Sequence, residues 1–232
     1  MEIVVKTPEK LVIRTDATYS LLNAIRRSVE EIPTLAIEEV EIFKNDSALY
    51  DEVLAHRIGL VSLKNEGKLT SKTTGTLSLK KAGPCVVYSG DFKGDLKIAY
   101  DSIPLTILEK DQEIELIATA VVGTGLEHAK YVPGLIYYRH LFEVKSGNVK
   151  IDSIVQNSIG LLKPEKNGNK WICDLNDFQV DEIKNLEKEF ISDSSECLLF
   201  VESFGMWDSE KIFAKAVETL KENVEAFEKS LK

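Results

Sequence analysis

Residues 16–43 constrain the fold most, because a helix pattern there runs into a strand pattern that changes face. Between Asp16 and Pro33 the apolar residues recur at helical spacing and form one stripe: Leu21, Leu22, Ile25, Val29 and Ile32. Pro33 ends this helix, since proline disfavours the α conformation at the residue before it. In the strand that follows, the apolar positions change frame at Glu38-Glu39. The sequence therefore predicts a bulge or a change of sheet there, and a boundary between two subdomains.

The rest of the chain is predicted to contain more strands than helices. A short helix is expected to end at Gly59, and a short amphipathic helix is expected over residues 181–190. Between them the pattern from 75 to 143 is that of strands alone. The predicted strands in that stretch are residues 75–80, 85–88, 96–100, 114–122 and 135–144.

A long final helix is predicted from Asp208 or Ser209 onward. Its apolar residues are spaced four, three, four, three, four, and they are Phe213, Val217, Leu220, Val224, Phe227 and Leu231. This is a heptad stripe of the kind that pairs helices. By itself the stripe fits two alternatives, packing on the chain's own domain or a seam with a partner.

Composition and charge limit the class of protein. The 232 residues suffice for one or two domains, and 44% of them are hydrophobic. No run of about 18 apolar residues is present, and residues 1–6 lack the apolar core of a signal peptide, so a cytoplasmic protein is expected. The net charge of -9 argues against a primary nucleic-acid surface. A lysine-rich stretch is interpreted as a solvated face, with a phosphate-binding patch as the alternative: Lys64, Lys68, Lys72, Lys80 and Lys81.

The cysteines do not form a recognisable ligand set. Cys85, Cys173 and Cys197 are odd in number and widely spaced. This spacing is typical neither of a disulfide framework nor of a short-spaced metal site. We therefore expect no metal site built on these thiols.

Two short stretches contain residue types that could carry chemistry. Asp51 and Glu52 precede His56 and Arg57, and on a helix Glu52 and His56 lie one turn apart. This fits a surface ion pair or partner contact better than an acid–base site, which would lack a nucleophile. The stretch 123–128 superficially resembles a dinucleotide loop, but His128 replaces the third glycine and no helix follows. No clustered aspartate motif suits two catalytic metals, so polymer synthesis is not assigned to this chain.

Four blocks carry a resemblance to a known family. Residues 23–27, 32–37 and 51–60 follow one another in the order and spacing of the D-type subunits of archaeal RNA polymerase, and residues 123–133 also resemble that family. The family is related to the N-terminal domain of bacterial polymerase α and to the third-largest subunit of eukaryotic polymerase II. The resemblance runs from near Met1 to the last helix and is weakest over 150–196.

The resemblance implies an α+β fold of three parts. An α-like dimerisation domain, with an antiparallel sheet and two main helices, combines residues 1–43 and 197–232. A β-rich insert domain occupies 44–147, and a small degenerate ferredoxin-like segment occupies 148–196. Many relatives hold iron–sulfur clusters there on closely spaced cysteines. Since only Cys173 lies in that segment here, no cluster and no other cofactor are expected.

The function that the resemblance implies is that of a non-catalytic assembly subunit of DNA-dependent RNA polymerase. The implied partners are a smaller α-like subunit, L, then the second-largest catalytic subunit and the small subunits N and P, without specific DNA binding or a membrane. The predicted dimer interface comprises Leu22, Ile25, Arg26, Arg27, Val29, Phe213, Val217, Leu220, Val224 and Phe227. The predicted large-subunit contacts are Glu52, His56, Arg57, His128, Ala129 and Lys130. The alternatives are a stand-alone enzyme using Asp51, Glu52, His56 and His128, or an iron–sulfur protein.

Overall fold

The computed structural model describes residues 1–67, 69–70 and 72–231. Within them the strands are β1 (Glu2–Lys6), β2 (Lys10–Thr15), β3 (Thr34–Asn45), β4 (Thr74–Ala82), β5 (Cys85–Tyr88), β6 (Lys93–Gly94), β7 (Pro104–Leu108), β8 (Glu113–Gly123), β9 (Gly134–Lys145), β10 (Glu165–Asn167), β11 (Lys170–Cys173) and β12 (Ile191–Ser203). The helices are α1 (Tyr19–Ser28), α2 (Asp51–Gly59), α3 (Val149–Gln156), α4 (Asp177–Glu187) and α5 (Ser209–Ser230).

The chain forms two compact units, each discontinuous in sequence. The first unit comprises Met1–Lys6, Leu11–Asn23 and Ile136–Phe200. The second unit comprises Thr7–Lys10, Ala24–Leu135 and Val201–Lys232. The predicted division into three parts is based on the family resemblance, whereas these two units are defined by compactness. The three-part division therefore stays a prediction.

The first unit is built on a six-stranded sheet. Its strand order is β1-β2-β12-β9-β11-β10. β10 and β11 form a hairpin whose turn includes Gly168 at a φ of 60°, a conformation that glycine adopts without steric cost. One hydrophobic core lies where α3 and α4 pack, through buried Ile151, Val155, Val180 and Ile183. The segment 148–196 is therefore an ordered part of this unit.

The second unit packs two antiparallel sheets around one core. The larger sheet has the order β3-β8-β4-β6, and the smaller one pairs β5 with β7. Helix α2 closes the core with Leu54 and Ile58, which are fully buried. This helix ends at Gly59, as predicted. Helices and antiparallel sheets together make an α+β fold, so the predicted fold class is confirmed at this level.

Strand β3 contains the predicted bulge. Its pairing with β8 runs in register up to Ile37, opposite Ala120, and resumes at Glu39, opposite Thr119. Glu38 is the extra residue, which lets Leu35 and Ile37 before it and the later apolar residues face the same core. The alternative prediction, a change of sheet, is wrong, because β3 remains paired with β8 to Asn45.

Helix α1 starts later than the sequence pattern suggests. It begins at Tyr19, where the Thr18 hydroxyl accepts the Leu21 N–H at 3.4 Å, so Asp16 lies outside the helix. A short 3₁₀ turn, Val29–Glu31, follows it, and Ile32 is extended before Pro33. The predicted effect of Pro33 on the residue before it is confirmed.

Between residues 75 and 143 one predicted strand is wrong, and the strands β6 and β7 were missed. Residues 96–100 form no strand; their backbone instead bonds to residues 62–64, for example Ala99 N–H to Ser62 O at 2.9 Å. Leu96 and Ile98 pack on the core, so their alternation reflects burial rather than a sheet ladder. Strand β7 was missed because Pro104 opens it, although proline is tolerated at a strand's first residue. In the described part of the chain, no helix combines the length and apolar character needed to cross a membrane.

Candidate subunit interface

A surface cleft in the second unit brings together three of the predicted contact residues. We call it the Glu38 cleft, and it has a volume of about 240 Å³. Its lining residues are Ile37, Glu38, Val40, Ala55, His56, Gly59, Leu60, His128 and Lys130. His56 comes from α2, while His128 and Lys130 come from the stretch after β8. The tertiary fold therefore joins two blocks that lie far apart in the sequence.

The chain after β8 turns sharply because two glycines allow close packing. A Cβ at Gly123 would lie 2.7 Å from the Tyr131 ring, and one at Gly125 would lie 2.9 Å from the carbonyl oxygen of Glu30. The stretch ends in a 3₁₀ turn, Ala129–Tyr131, rather than in a helix that could face a pyrophosphate. These glycines serve packing, which agrees with the prediction against a dinucleotide loop.

Glu38 is the electrostatic centre of the cleft. Its carboxylate contacts the Lys130 ammonium group and accepts a hydrogen bond from the Tyr131 hydroxyl at 2.8 Å. The bonds from Lys130 and then Tyr131 hold the pKa of Glu38 below its ordinary value. Burial is the largest cause that raises the pKa of the Tyr131 hydroxyl, and its hydrogen bond to the Glu38 carboxylate is the next. The acid is therefore ionised and its charge is compensated inside the cleft.

His128 is oriented by the turn that follows it. Its Nδ1 accepts the backbone N–H of Lys130 at 3.0 Å, so the ring caps the 3₁₀ turn. In the neutral ring this bond places the proton on Nε2. The imidazole thus presents a hydrogen-bond donor on the side away from its own backbone.

The remaining predicted large-subunit contacts lie outside the cleft lining. Arg57 donates to the carbonyl oxygens of Leu105 at 3.0 Å and Pro104 at 2.6 Å, so it stabilises the start of β7. Glu52 and Ala129 are exposed. Arg57 therefore has a structural role that its sequence context did not predict.

The residues of the enzyme alternative do not form one site. His56 and His128 line the Glu38 cleft, but Asp51 accepts a hydrogen bond from Asn45 at 2.7 Å and is not part of that lining. No group of three or more His, Cys, Asp or Glu among the described residues is arranged to hold a metal ion. The acid–base interpretation gains no support from this geometry.

The heptad stripe of α5 is largely exposed. The helix packs on its own unit through Ser209, Ile212 and Ala216, and the last two precede stripe positions by one residue. Phe213 and Leu220 are half-buried, whereas Val217 is 39%, Val224 60% and Phe227 65% exposed. Leu231, at 72%, continues this surface. We call Val217, Val224, Phe227 and Leu231 the α5 seam.

The predicted interface residues in and directly after α1 are partly buried and partly exposed. Leu22, Ile25 and Val29 are buried within this chain, and Arg26 and Arg27 are exposed. Near α5, the Asn223 side chain donates to Glu31 at 2.7 Å in the turn after α1. Among the predicted interface residues, Arg26, Arg27, Val217, Val224 and Phe227 are therefore the exposed ones.

The lysine-rich stretch is partly neutralised. Lys80 contacts Glu115 at 2.7 Å and Lys81 contacts Asp91 at 2.5 Å. Lys68 lies outside the described residues. These ion pairs favour the interpretation of a solvated face over a phosphate patch.

The thiols lie on three different strands. Cys85 is half-buried on β5, while Cys173 on β11 and Cys197 on β12 are buried. Burial raises the pKa of Cys173 to about 12 and also raises the pKa of Cys197. The arrangement does not fit an iron–sulfur cluster, which needs several ionised thiolates close together.

Glu38, which lines the cleft, and Tyr131, whose hydroxyl donates to Glu38, were not among the predicted contact residues. The sequence contained a signal for Glu38, because the frame change at Glu38-Glu39 marks the bulge in which Glu38 is the extra residue. The sequence contained no comparable signal for Tyr131, because its role depends on a hydrogen bond to Glu38, which lies 93 residues away in the sequence.

Comparison with known proteins defines the class first. Residues 39–138 match the family model described as the RNA polymerase Rpb3/RpoA insert domain. These residues contain β4 to β8, most of β3 and the whole of α2. This part of the chain therefore matches the insert domain of the Rpb3/RpoA class of polymerase subunits.

Individual relatives identify the family. The chain is similar to DNA-directed RNA polymerase subunit Rpo3 of Methanocaldococcus jannaschii, with 36% identity covering 67% of this chain and 85% of the relative. The chain is also similar to the Rpo3 of Thermococcus kodakarensis, with 42% identity. That match covers 53% of this chain and about half (51%) of the relative. The Rpo3 of Methanobrevibacter smithii is 32% identical over 98% of this chain and 97% of its own length. The chain belongs to the Rpo3 family of archaeal DNA-directed RNA polymerase, the D-type subunits that its sequence blocks resemble.

Proposed function

We propose that this chain is a non-catalytic assembly subunit of DNA-dependent RNA polymerase. It pairs with the smaller α-like subunit L, and the pair forms a platform for the second-largest catalytic subunit and for the small subunits N and P. The relatives carry the name of a polymerase subunit, which supports this role over a stand-alone enzyme.

The exposed α5 seam is the observation that carries the proposal. Every residue from 221 to 230 of this helix is exposed, although apolar side chains continue at heptad spacing. Large apolar side chains in a row on the surface mark interfaces, because their exposure to water is unfavourable. A second helix with the same spacing would bury them as knobs into holes. This supports pairing with one α-like partner through α5.

The other predicted contacts are assigned to docking of the larger subunits. Arg26 and Arg27 are exposed on α1, and a guanidinium fork suits a partner's carboxylate or carbonyl oxygens. His56, His128 and Lys130 contribute polar side chains to the Glu38 cleft, which lies in the second unit. We assign the arginines both to the pairing edge and to docking of a large partner, and the cleft residues to a large-subunit contact.

The proposal includes three further parts. The protein acts in the cytoplasm, without direct specific DNA binding, which its net charge of -9 supports. It carries no iron–sulfur cluster, since its thiols are dispersed and two of them are buried. Its modules are the dimerisation domain (1–43 and 197–232), the insert domain (44–147) and a ferredoxin-like remnant (148–196).

Co-expression with subunit L tests the pairing. The expected product is a soluble one-to-one complex by light scattering. Phe227→Asp should abolish pairing while leaving the melting temperature of the lone chain nearly unchanged, because Phe227 is 65% exposed. Ala226→Asp is the matched control, since it places the same charge on another exposed side of the same helix. A lone monomer that ignores subunit L, or equal effects of both variants, would refute the proposal.

A further inference from the structure

Asn65 joins three segments of the second unit at one buried position. The residue is 5% exposed, and its Oδ1 accepts the backbone N–H of Leu35 at 3.0 Å. Its Nδ2 donates to the carbonyl oxygen of Leu63 at 3.4 Å, and its backbone N–H donates to the carbonyl oxygen of Met206 at 2.9 Å. Asn65 therefore ties the start of β3 and the turn before α5 to the loop that follows α2.

The bond to Leu35 fixes the segment that follows α1. Among the described residues, β3 is an edge strand in the order β3-β8-β4-β6, so the N–H groups on its outer side have no neighbouring strand to pair with. Leu35 is 3% exposed, and its N–H has the Asn65 amide as its acceptor. Four residues earlier, Glu31 accepts the Asn223 side chain of α5 at 2.7 Å. The Asn65 side chain thus anchors β3 close in sequence to the point where the turn after α1 contacts α5.

Two further contacts hold the turn before α5. The Phe204 N–H donates to the carbonyl oxygen of Pro133 at 3.0 Å. Gly205 has a φ of 91° and lies against the Tyr100 ring, since a Cβ added to it would be 2.6 Å from that ring. Asn65, Tyr100 and Pro133 all belong to the stretch that matches the polymerase insert domain, whereas the turn lies outside that stretch. The insert region therefore holds the start of α5 at three points.

We propose that the insert region positions α5 for subunit pairing, and that Asn65 couples the start of this helix to the segment after α1. The inference rests on the proposed function, because pairing is assigned to the α5 seam. Asn65 is buried within its own unit, so it acts on the partner through α5 and not by contact. It is a positioning residue, and its loss should change the affinity for subunit L beyond any loss of stability.

The length of α5 makes the placement of its start decisive. Residues 221–230 are all exposed, so the contacts of the first half of the helix and the bond from Asn223 to Glu31 set its direction. At about 1.5 Å per residue, Phe227 lies about 30 Å along the helix from Met206, and a tilt of about 10° at the start would move its side chain by about 5 Å. Knobs-into-holes packing between helices requires side chains in register, so a shift of this size disrupts the packing.

Two substitutions release the start of α5 by independent routes. Asn65→Leu removes both side-chain bonds at similar size, and the Leu35 N–H loses its acceptor. Gly205→Ala puts a side chain against the Tyr100 ring in a backbone conformation that favours glycine. Leu108→Ala is the matched control, since Leu108 is 1% exposed on β7, in a two-stranded sheet that includes neither β3 nor α5. It lowers stability by leaving a cavity in the core.

The experiment measures the melting temperature of each full chain and its affinity for subunit L by calorimetry, at a temperature where every folded variant is below its melting transition. Asn65→Leu and Gly205→Ala should each pair about tenfold more weakly than wild type. Leu108→Ala should lower the melting temperature at least as much as Asn65→Leu, yet pair like wild type. If Asn65→Leu does not fold, Gly205→Ala decides by the same criterion.

Two results would overturn the inference while leaving pairing itself intact. One is wild-type affinity in Asn65→Leu, or in Gly205→Ala where it decides, which would mean that these contacts serve stability alone. The other is an equal loss of affinity in Leu108→Ala, which would mean that any destabilisation of the unit weakens pairing. Failure of wild type to bind subunit L would overturn both this inference and the proposed function.

Discussion

Arg139 donates from Nη2 to the buried carboxylate of Asp174, with 2.6 Å between nitrogen and oxygen. The same Asp174 oxygen accepts the backbone N–H of Leu161 at 2.7 Å. Asp174 is 1% exposed and directly follows β11, so it ties β9 and the segment before β10 to the end of that strand. The first unit is therefore stabilised by a buried acid with two specific donors.

Asp174→Ala should destabilise the protein by about 2 kcal/mol, because the Leu161 N–H then loses its acceptor. This loss of stability is smaller than for a fully buried ion pair, because the Arg139 side chain is 47% exposed and is hydrated once Asp174 is removed. Urea unfolding of the full chain measures the change. Glu143→Ala is the control: its partner Lys170 is 57% exposed, and the expected loss is below about 1 kcal/mol. Equal losses in the two variants would contradict this account.

The Glu38 contacts should stabilise the fold in a pH-dependent way. The pKa of Glu38 is lowered in the folded chain by the Lys130 and Tyr131 bonds. A carboxyl with a depressed folded-state pKa stabilises the fold above its unfolded pKa of about 4.3, and this stabilisation is lost as pH falls through the folded value. Glu38→Gln should therefore melt below wild type at neutral pH, and the gap should close on acidification.

The gap in melting temperature is expected to be modest, since Glu38 is 47% exposed and exposed pairs contribute at most about 1 kcal/mol. Tyr131→Phe keeps the Lys130 contact and removes one donor, so its gap should be smaller and close over the same pH range. A gap that widens on acidification would show that the sign is wrong.

Thiol chemistry should distinguish the three cysteines. In the folded chain Cys85 should react with a disulfide reagent, since it is only half-buried. Cys173 and Cys197 should react only after denaturation, because burial shields them and raises the pKa of both thiols. Counting thiols before and after denaturation checks this.

Anaerobic purification should yield protein without stoichiometric iron or sulfide. A visible cluster absorbance would show the thiols to be closer together than this structure has them.

Two neighbours on α1 should behave differently. Ile25 is 3% exposed, so Ile25→Ala should cost about 2–5 kcal/mol of folding stability. Arg26 is exposed, so Arg26→Ala should change stability by less than about 0.5 kcal/mol while weakening the docking of a large partner. Thermal melts and pairing assays with subunit L and the large subunits measure the two effects. Normal assembly of both Arg26→Ala and Arg27→Ala would show that the polar edge of α1 makes no partner contact.

Local patterns in the sequence determined several elements of this protein. The spacing of Leu54 and Ile58 with Gly59 predicted α2, and the frame change at Glu38 predicted the bulge in β3. The heptad spacing predicted the stripe on α5. Each of these features arises from neighbours within a few residues, so the periodicity of the chain is sufficient to find it.

Tertiary structure alone decided which surfaces these elements present. The α5 helix packs through Ile212 and Ala216, one position away from its stripe, and this leaves Val224 and Phe227 exposed. Glu38 contacts Lys130 across 92 residues of sequence, and both residues line the cleft. Residues 96–100 alternate like a strand but bond to a loop. The physical reason is that burial and pairing depend on which distant segments pack together, and local periodicity carries no information about that choice.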